Sequence, residues 1–132
     1  MERPILRPVV WVGRAKKDFV EFPKEVQATL GLALYYVQAG EKEIAGAKPL
    51  SEGSLKGLGI FELVDDFDTD TYRTVYTTKL QGVVYVLHAF KKKSKKGIST
   101  PHHDVEVVRA RYAAAVRLHE QRFGPGSARP PR

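Results

Sequence analysis

Residues 60–90 read IFELVDDFDTDTYRTVYTTKLQGVVYVLHAF. Three runs in this stretch, Ile60-Phe61-Glu62-Leu63-Val64, Tyr72-Arg73-Thr74-Val75-Tyr76-Thr77 and Val83 to Phe90, are rich in β-branched and aromatic residues. Such side chains fit a pleated, half-buried surface. Acidic residues separate the first run from the second, and a glycine-containing turn separates the second from the third, which is how strands joined by short connections are punctuated. The stretch predicts an antiparallel meander, and the flanking elements must pack against it.

Upstream, Val9-Val10-Trp11-Val12, closed by Gly13, predicts one more strand near 9–13, bringing the sheet to about four strands. Phe19 and Phe22 stand three apart on a helical stretch from about 14 to 22, and Pro23 suits the first turn of a second helix. In that helix Val26, Leu30, Leu34 and Val37 recur at spacings of four, four and three, an amphipathic stripe, and Gly40 sits where a helix stops. Downstream, Thr100 predicts an N-cap and Pro101 a first helical residue. Val105, Val108, Tyr112 and Val116 then keep one face apolar up to Phe123. The expected class is α+β, with an N-terminal helical hairpin packed on an antiparallel sheet and a C-terminal helix. Residues 1–124 are expected to form a single domain, and the Gly/Pro-rich segment 125–132 a disordered tail.

The chain has 132 residues, 22 Lys plus Arg against 15 Asp plus Glu, and a formal charge of +7. This charge favours an anionic partner, whether nucleic acid, a membrane surface or an acidic protein segment. Cysteine is absent, which excludes disulfides, thiolate zinc sites and cysteine nucleophiles. No apolar segment has the form of a signal peptide or the roughly 20-residue length of a membrane span, so the expected setting is the cytoplasm, without membrane contact.

Lys91-Lys92-Lys93-Ser94-Lys95-Lys96 concentrates five lysines directly after a strand. A solvated loop accounts for such a run, but His88 and Phe90 on the strand behind it interleave rings with cations, the combination that binds RNA phosphates and bases. Arg14 and Lys16, together with Lys91, Lys95, Lys96 and Phe90, are the candidate RNA-binding residues. Arg73 lies within a predicted strand, where a guanidinium needs either a partner or an anion. Glu62 on the neighbouring strand would make it a structural ion pair, whereas a scissile phosphate would make it catalytic. Tyr72 and Tyr76 share one face in a two-residue period and Arg73 the other, so Tyr76 joins Arg73 only if the strand is twisted or bulged. Glu62 and His88 are the acid–base candidates on strands, and Lys48, beside Pro49, is uninformative by itself. Asp66, Asp68 and Asp70 begin like a calcium loop, but Thr71 and Thr77 stand where glycine and glutamate are needed. His102-His103 with Asp104 lacks the spacing of helical zinc ligands. No metal and no cofactor is expected.

In order, Trp11-x-Gly13, Lys17-Asp18, Phe22-Pro23, Gly31, Leu34, Gln38-x-Gly40, Lys48-Pro49-Leu50, Glu62, Tyr72-Arg73-x-x-Tyr76, Leu87-His88-Ala89-Phe90-x-Lys92-Lys93 and Thr100-Pro101 resemble the RelE/ParE superfamily toxins, in their phage-derived, HigB-like branch. The resemblance runs over roughly residues 9 to 112. It implies a RelE/ParE-like domain with endoribonuclease activity on messenger RNA, on or off the ribosome. It also implies neutralisation by a cognate helix-turn-helix antitoxin, through which alone the toxin would reach operator DNA. The positions matching the basic cleft of such toxins are Lys48, Arg73, Lys92 and Lys93, with His88 and Tyr76 as weaker catalytic candidates. The better known RelE members carry catalytic residues near the chain end, where this sequence has a lysine loop and a long helix. The alternatives are a non-enzymatic ParE-like toxin acting on DNA gyrase and a nucleic-acid-binding module without catalysis.

Overall fold

A computed structural model describes residues 5–93 and 99–128. Its elements are β1 (Val9–Trp11), α1 (Ala15–Phe19), α2 (Lys24–Gln38), β2 (Ala47–Pro49), a short 3-10 turn (Gly53–Leu55), β3 (Ile60–Phe67), β4 (Asp70–Thr77), β5 (Val84–Lys92) and α3 (His102–Phe123). The class is α+β, as the sequence predicts. The sheet has five strands in the order β1-β5-β4-β3-β2. The extra strand is β2, formed where a connection was expected, and β1 runs parallel to β5 while the other pairs are antiparallel.

The acidic run forms the β3–β4 hairpin. Phe67 pairs with Asp70, leaving Asp68 and Thr69 at the tip, and Asp68 takes a left-handed φ of 56°, which Asp tolerates better than most residues. Asp66 accepts a hydrogen bond from the Thr71 hydroxyl at 2.7 Å.

Helices cover both faces of the sheet. On one face α1 and α2 bury Phe19, Phe22, Val26, Leu30, Leu34 and Val37 against Leu63, Tyr72, Tyr76, Val84 and Val86. The predicted stripe of α2 is thus the packed one, each large apolar side chain gaining about 1.5–3 kcal/mol by burial. Gly40, with φ of 84°, follows the C-cap and ends the helix in a conformation that favours glycine. On the other face α3 packs Val105, Val108 and Ala115 against Ile60, Val75, Tyr85 and Leu87. Its buried stripe runs on through Ala115 and His119, while Tyr112 and Val116 are only half-buried. The 3.6-residue period drifts past a row chosen at larger spacings.

Both prolines expected in a first helical turn stand one residue earlier, at the cap. Pro23 and Pro101 are extended N-cap residues (ψ 148° and 146°) and the helices begin after them. The Thr100 hydroxyl consequently does not cap α3. After α3 the Ser127 hydroxyl donates to the Gly124 carbonyl at 2.7 Å, and Ala128 packs on the core. Residues 129–132 lie outside the described residues. Among the described residues no helix is long and apolar enough to cross a membrane.

His119 is 1% exposed, and its Nδ1 lies 2.8 Å from the Tyr85 hydroxyl. Burial lowers the pKa of His119, against a smaller opposing pull from Glu120, and raises that of Tyr85, against Arg122. A phenol donating to a neutral imidazole satisfies both. Below the ordinary histidine pKa of 6.5 the unfolded chain takes up a proton that the folded chain refuses, so stability is lost as pH falls. Urea unfolding from about pH 7.5 down to about 5.5 should show a steeper loss for the natural chain than for His119→Gln. Parallel losses would show that His119 does not contribute.

Candidate functional site

Antiparallel register sets Lys48 directly opposite Glu62 across β2–β3, and Arg73 opposite Val64, one diagonal step from Glu62, across β3–β4. Glu62 and Arg73 are 1% and 3% exposed. Arg73 Nη1 donates to Glu62 Oε1 at 3.0 Å, and Lys48 Nζ lies 3.6 Å from the same oxygen. The start of α3 closes this group from above. The Thr100 hydroxyl donates to Glu62 Oε2 at 3.1 Å and accepts from Arg73 Nη1 at 3.2 Å, and Lys92 Nζ donates to the neighbouring Ser99 carbonyl at 3.1 Å. Three cations, Lys48, Arg73 and Lys92, are therefore gathered around one carboxyl and the 99–100 segment. Burial raises the pKa of Glu62 despite the lowering effects of Arg73, the Thr100 hydrogen bond and Lys48. A carboxyl held in this way can exchange a proton nearer neutrality than an exposed one.

Between the two readings of Arg73, the geometry is that of the ion pair: a buried guanidinium bonded to Glu62, not a side chain open to a phosphate. Among the described residues, Lys48, with its side chain 39% exposed, and the lysines at the end of β5 carry this cluster's charge towards solvent.

β5 contains the irregularity that aims His88. Val84, Val86 and Ala89 pack on the α1/α2 side, and Tyr85, Leu87 and Phe90 on the α3 side. The step from Val86 to Ala89 takes three residues instead of two. The pairing shows why: Val75 faces His88 and Tyr76 faces Val86, leaving Leu87 as a bulge residue. Leu87 and His88 consequently both address α3. There His88 Nε2 lies 2.7 Å from Asp104 Oδ1, and Nδ1 lies 3.4 Å from Arg111 Nη1. A guanidinium only donates and a carboxylate only accepts, so the arrangement suits a proton on Nε2. Both ring nitrogens face protein partners, and the ring stacks on Phe90 at 4.9 Å. His88 and Phe90, both largely buried, line part of a cavity of about 600 Å³ together with Phe22, Tyr72 and Lys91.

Arg111 also donates to the Leu87 carbonyl at 3.1 Å, satisfying an acceptor at the bulge, and it passes close over Gly13. A Cβ there would lie 2.9 Å from Arg111 Nε, and φ is +60°, so the glycine of Trp11-x-Gly13 has both a steric and a conformational reason. Burial lowers the pKa of Arg111, with Asp18 opposing the shift and Arg14 adding to it.

Tyr76 is on the opposite face, its ring stacked on Phe61 at 5.9 Å. The bulge lies in β5 and leaves the alternation of β4 intact, so Tyr76 cannot act with Arg73. Burial pushes its pKa up to about 12. Lys91 pairs with Asp70 at 3.8 Å, Arg14 with Asp18 at 3.9 Å, and Lys16 and Lys93 are exposed. Lys95 and Lys96 lie outside the described residues. Sequence reasoning missed Arg111 and considered Asp104 only as a metal ligand. The available signal was their spacing: Asp104, Val108 and Arg111 fall at i, i+4 and i+7 on one helix face. Among the described residues no three His, Cys, Asp or Glu side chains converge as metal ligands would.

A family model described as Phage derived protein Gp49-like (DUF891) matches residues 17–113, from within α1 into α3 and across the whole Lys48–Glu62–Arg73 cluster. No curated protein matches the sequence. Among solved structures, one chain of the toxin–antitoxin complex RelBE2 from Mycobacterium tuberculosis is similar at 19% identity and a TM-score of 0.47, covering 71% of this chain and 100% of that one.

Removing one partner of a buried ion pair strands the other. Arg73→Ala should therefore destabilise the fold by about 3–5 kcal/mol, read from urea unfolding, and the double change Glu62→Gln with Arg73→Met should recover most of that loss. A single-variant loss below about 1 kcal/mol would mean that Glu62 is not held by Arg73.

Proposed function

The chain belongs to the phage-derived Gp49-like family, and from that premise we propose that it is the toxin of a type II toxin–antitoxin pair, an endoribonuclease that cuts messenger RNA with its own side chains. The observation that carries this reading is the gathering of Lys48, Arg73 and Lys92 around the buried Glu62 and residues 99–100. A protein that only obstructs another protein has no need of a carboxyl with a raised pKa beside partly exposed cations. The resemblance to RelE/ParE toxins over the same residues supports the same conclusion.

In the proposed reaction the ribose 2′-hydroxyl loses its proton to the Lys48–Glu62 pair and attacks the adjacent phosphorus. The pair returns that proton, through the Lys48 ammonium, to the departing 5′-oxygen, and the products are a 2′,3′-cyclic phosphate and a 5′-hydroxyl end. Lys92 and Lys93 meet the charge that grows on the phosphorane, and Arg73 holds Glu62 in place. His88 and Tyr76, the other proton carriers named from sequence, are assigned no step here: Asp104 and Arg111 hold His88, and Tyr76 lies on the opposite face of the sheet from Arg73. A cognate antitoxin would silence the protein by covering this region or the outer face of α2, where Leu32, Tyr35 and Tyr36 are exposed.

Mapping RNA ends shortly after induction tests the assignment: broken transcripts with an intact chromosome are expected, and double-strand DNA breaks with intact transcripts would select the gyrase reading. Lys48→Ala should slow cleavage by roughly 10²–10³-fold, the usual effect of losing one electrostatic contact. Lys92→Ala and Lys93→Ala should each reduce the salt dependence of RNA binding by about one charge.

A further inference from the structure

The cleft beyond the C-terminal end of α2 has no part in the cleavage reading and lies on the opposite face of the sheet. Its volume is about 610 Å³, within the range of small-molecule sites. Phe61 and Tyr76 form its floor, directly opposite each other in the β3–β4 register and with rings inclined by only 24°. Phe61 is half-buried, leaving part of a flat aromatic surface open to the cleft.

Tyr76 is the second observation. It is 5% exposed and lines the cleft, yet among the described residues its hydroxyl has no hydrogen-bond partner. The hydroxyl keeps solvent access at the cleft, where it can donate to a ligand acceptor. Burial keeps the phenol protonated, with a pKa of about 12, so it is a donor at any physiological pH.

The rim adds charge of both signs. The Arg7 amide donates to the Gln38 carbonyl at 3.0 Å, and Gln38 Nε2 donates to the Arg7 carbonyl at 2.8 Å. This pairing ties the N-terminal arm to the end of α2 and holds Arg7 at the cleft, whose lining also includes Glu41, Lys42 and Glu43. A planar ring on the aromatic floor, an acceptor for Tyr76, donors for the carboxylates and an anion for Arg7 together describe a nucleotide. Guanine matches best, because it places its O6 acceptor beside the N1 and N2 donors.

We propose that this cleft binds a guanine nucleotide, as a base of single-stranded RNA or as the free compound. Calorimetric titration of the full chain with guanosine 5′-monophosphate, with guanosine and with a short 2′-O-methyl oligoribonucleotide carrying one guanine tests it. The monophosphate should bind. Tyr76→Phe, which keeps the ring, should weaken binding about tenfold, and Arg7→Ala should weaken the monophosphate but not guanosine. Tighter binding of the oligonucleotide than of the monophosphate would identify RNA as the source, and the reverse order the free nucleotide. Absence of monophosphate binding at millimolar concentration overturns the proposal, as does binding unchanged in both variants. Binding lost in Lys48→Ala but kept in Tyr76→Phe would place the nucleotide at the cleavage cluster and equally overturn this site.

Discussion

The buried pair of Glu62 and Arg73 is the constraint around which this molecule is arranged. It joins the first two strands of the meander, and the Thr100 hydroxyl bonded to both partners ties the start of α3 to them. Two opposite charges in a protein interior survive only if each is neutralised and hydrogen-bonded. The approach of α3, the register of β3 on β4 and the position of Lys48 on β2 are thereby coupled to one another. The same coupling means that chemistry proposed for Glu62 draws on a residue the fold also needs, so activity and stability are not separable by mutating the pair alone.

A single inserted residue in β5 divides the chemistry between the two faces of the sheet. The bulge at Leu87 turns His88 towards α3, where Asp104 and Arg111 hold it, while Tyr76 remains on the α1/α2 side. Bulges re-aim side chains at this kind of location. Here the outcome is a histidine that links strand and helix and a tyrosine that faces a separate cleft. Lys91 and Lys93, at and just beyond the end of β5, remain exposed on the surface.

What the sequence by itself determined was the set of elements and their apolar faces. The three meander runs, the stripe of α2 and the long final helix are local periodicities, and periodicity of 2 or 3.6 residues needs no knowledge of partners. The short β2 was not legible, because Ala47-Lys48-Pro49 has little strand propensity and is extended only by pairing with β3. The exact helix starts were not legible either, since a proline can occupy the cap as readily as the first turn. Within the site, the Arg73–Glu62 alternative could be raised from residue types, and the gathering of Lys48 with Arg73 only from the family resemblance. Only tertiary structure decided that Arg73 is buried against the carboxylate, that His88 faces Asp104 and Arg111, and that Tyr76 lies on the opposite face. Each of those outcomes depends on strand register, a one-residue bulge or a helix arriving from far along the chain, and all three are set by packing between distant segments rather than by the local order of side chains.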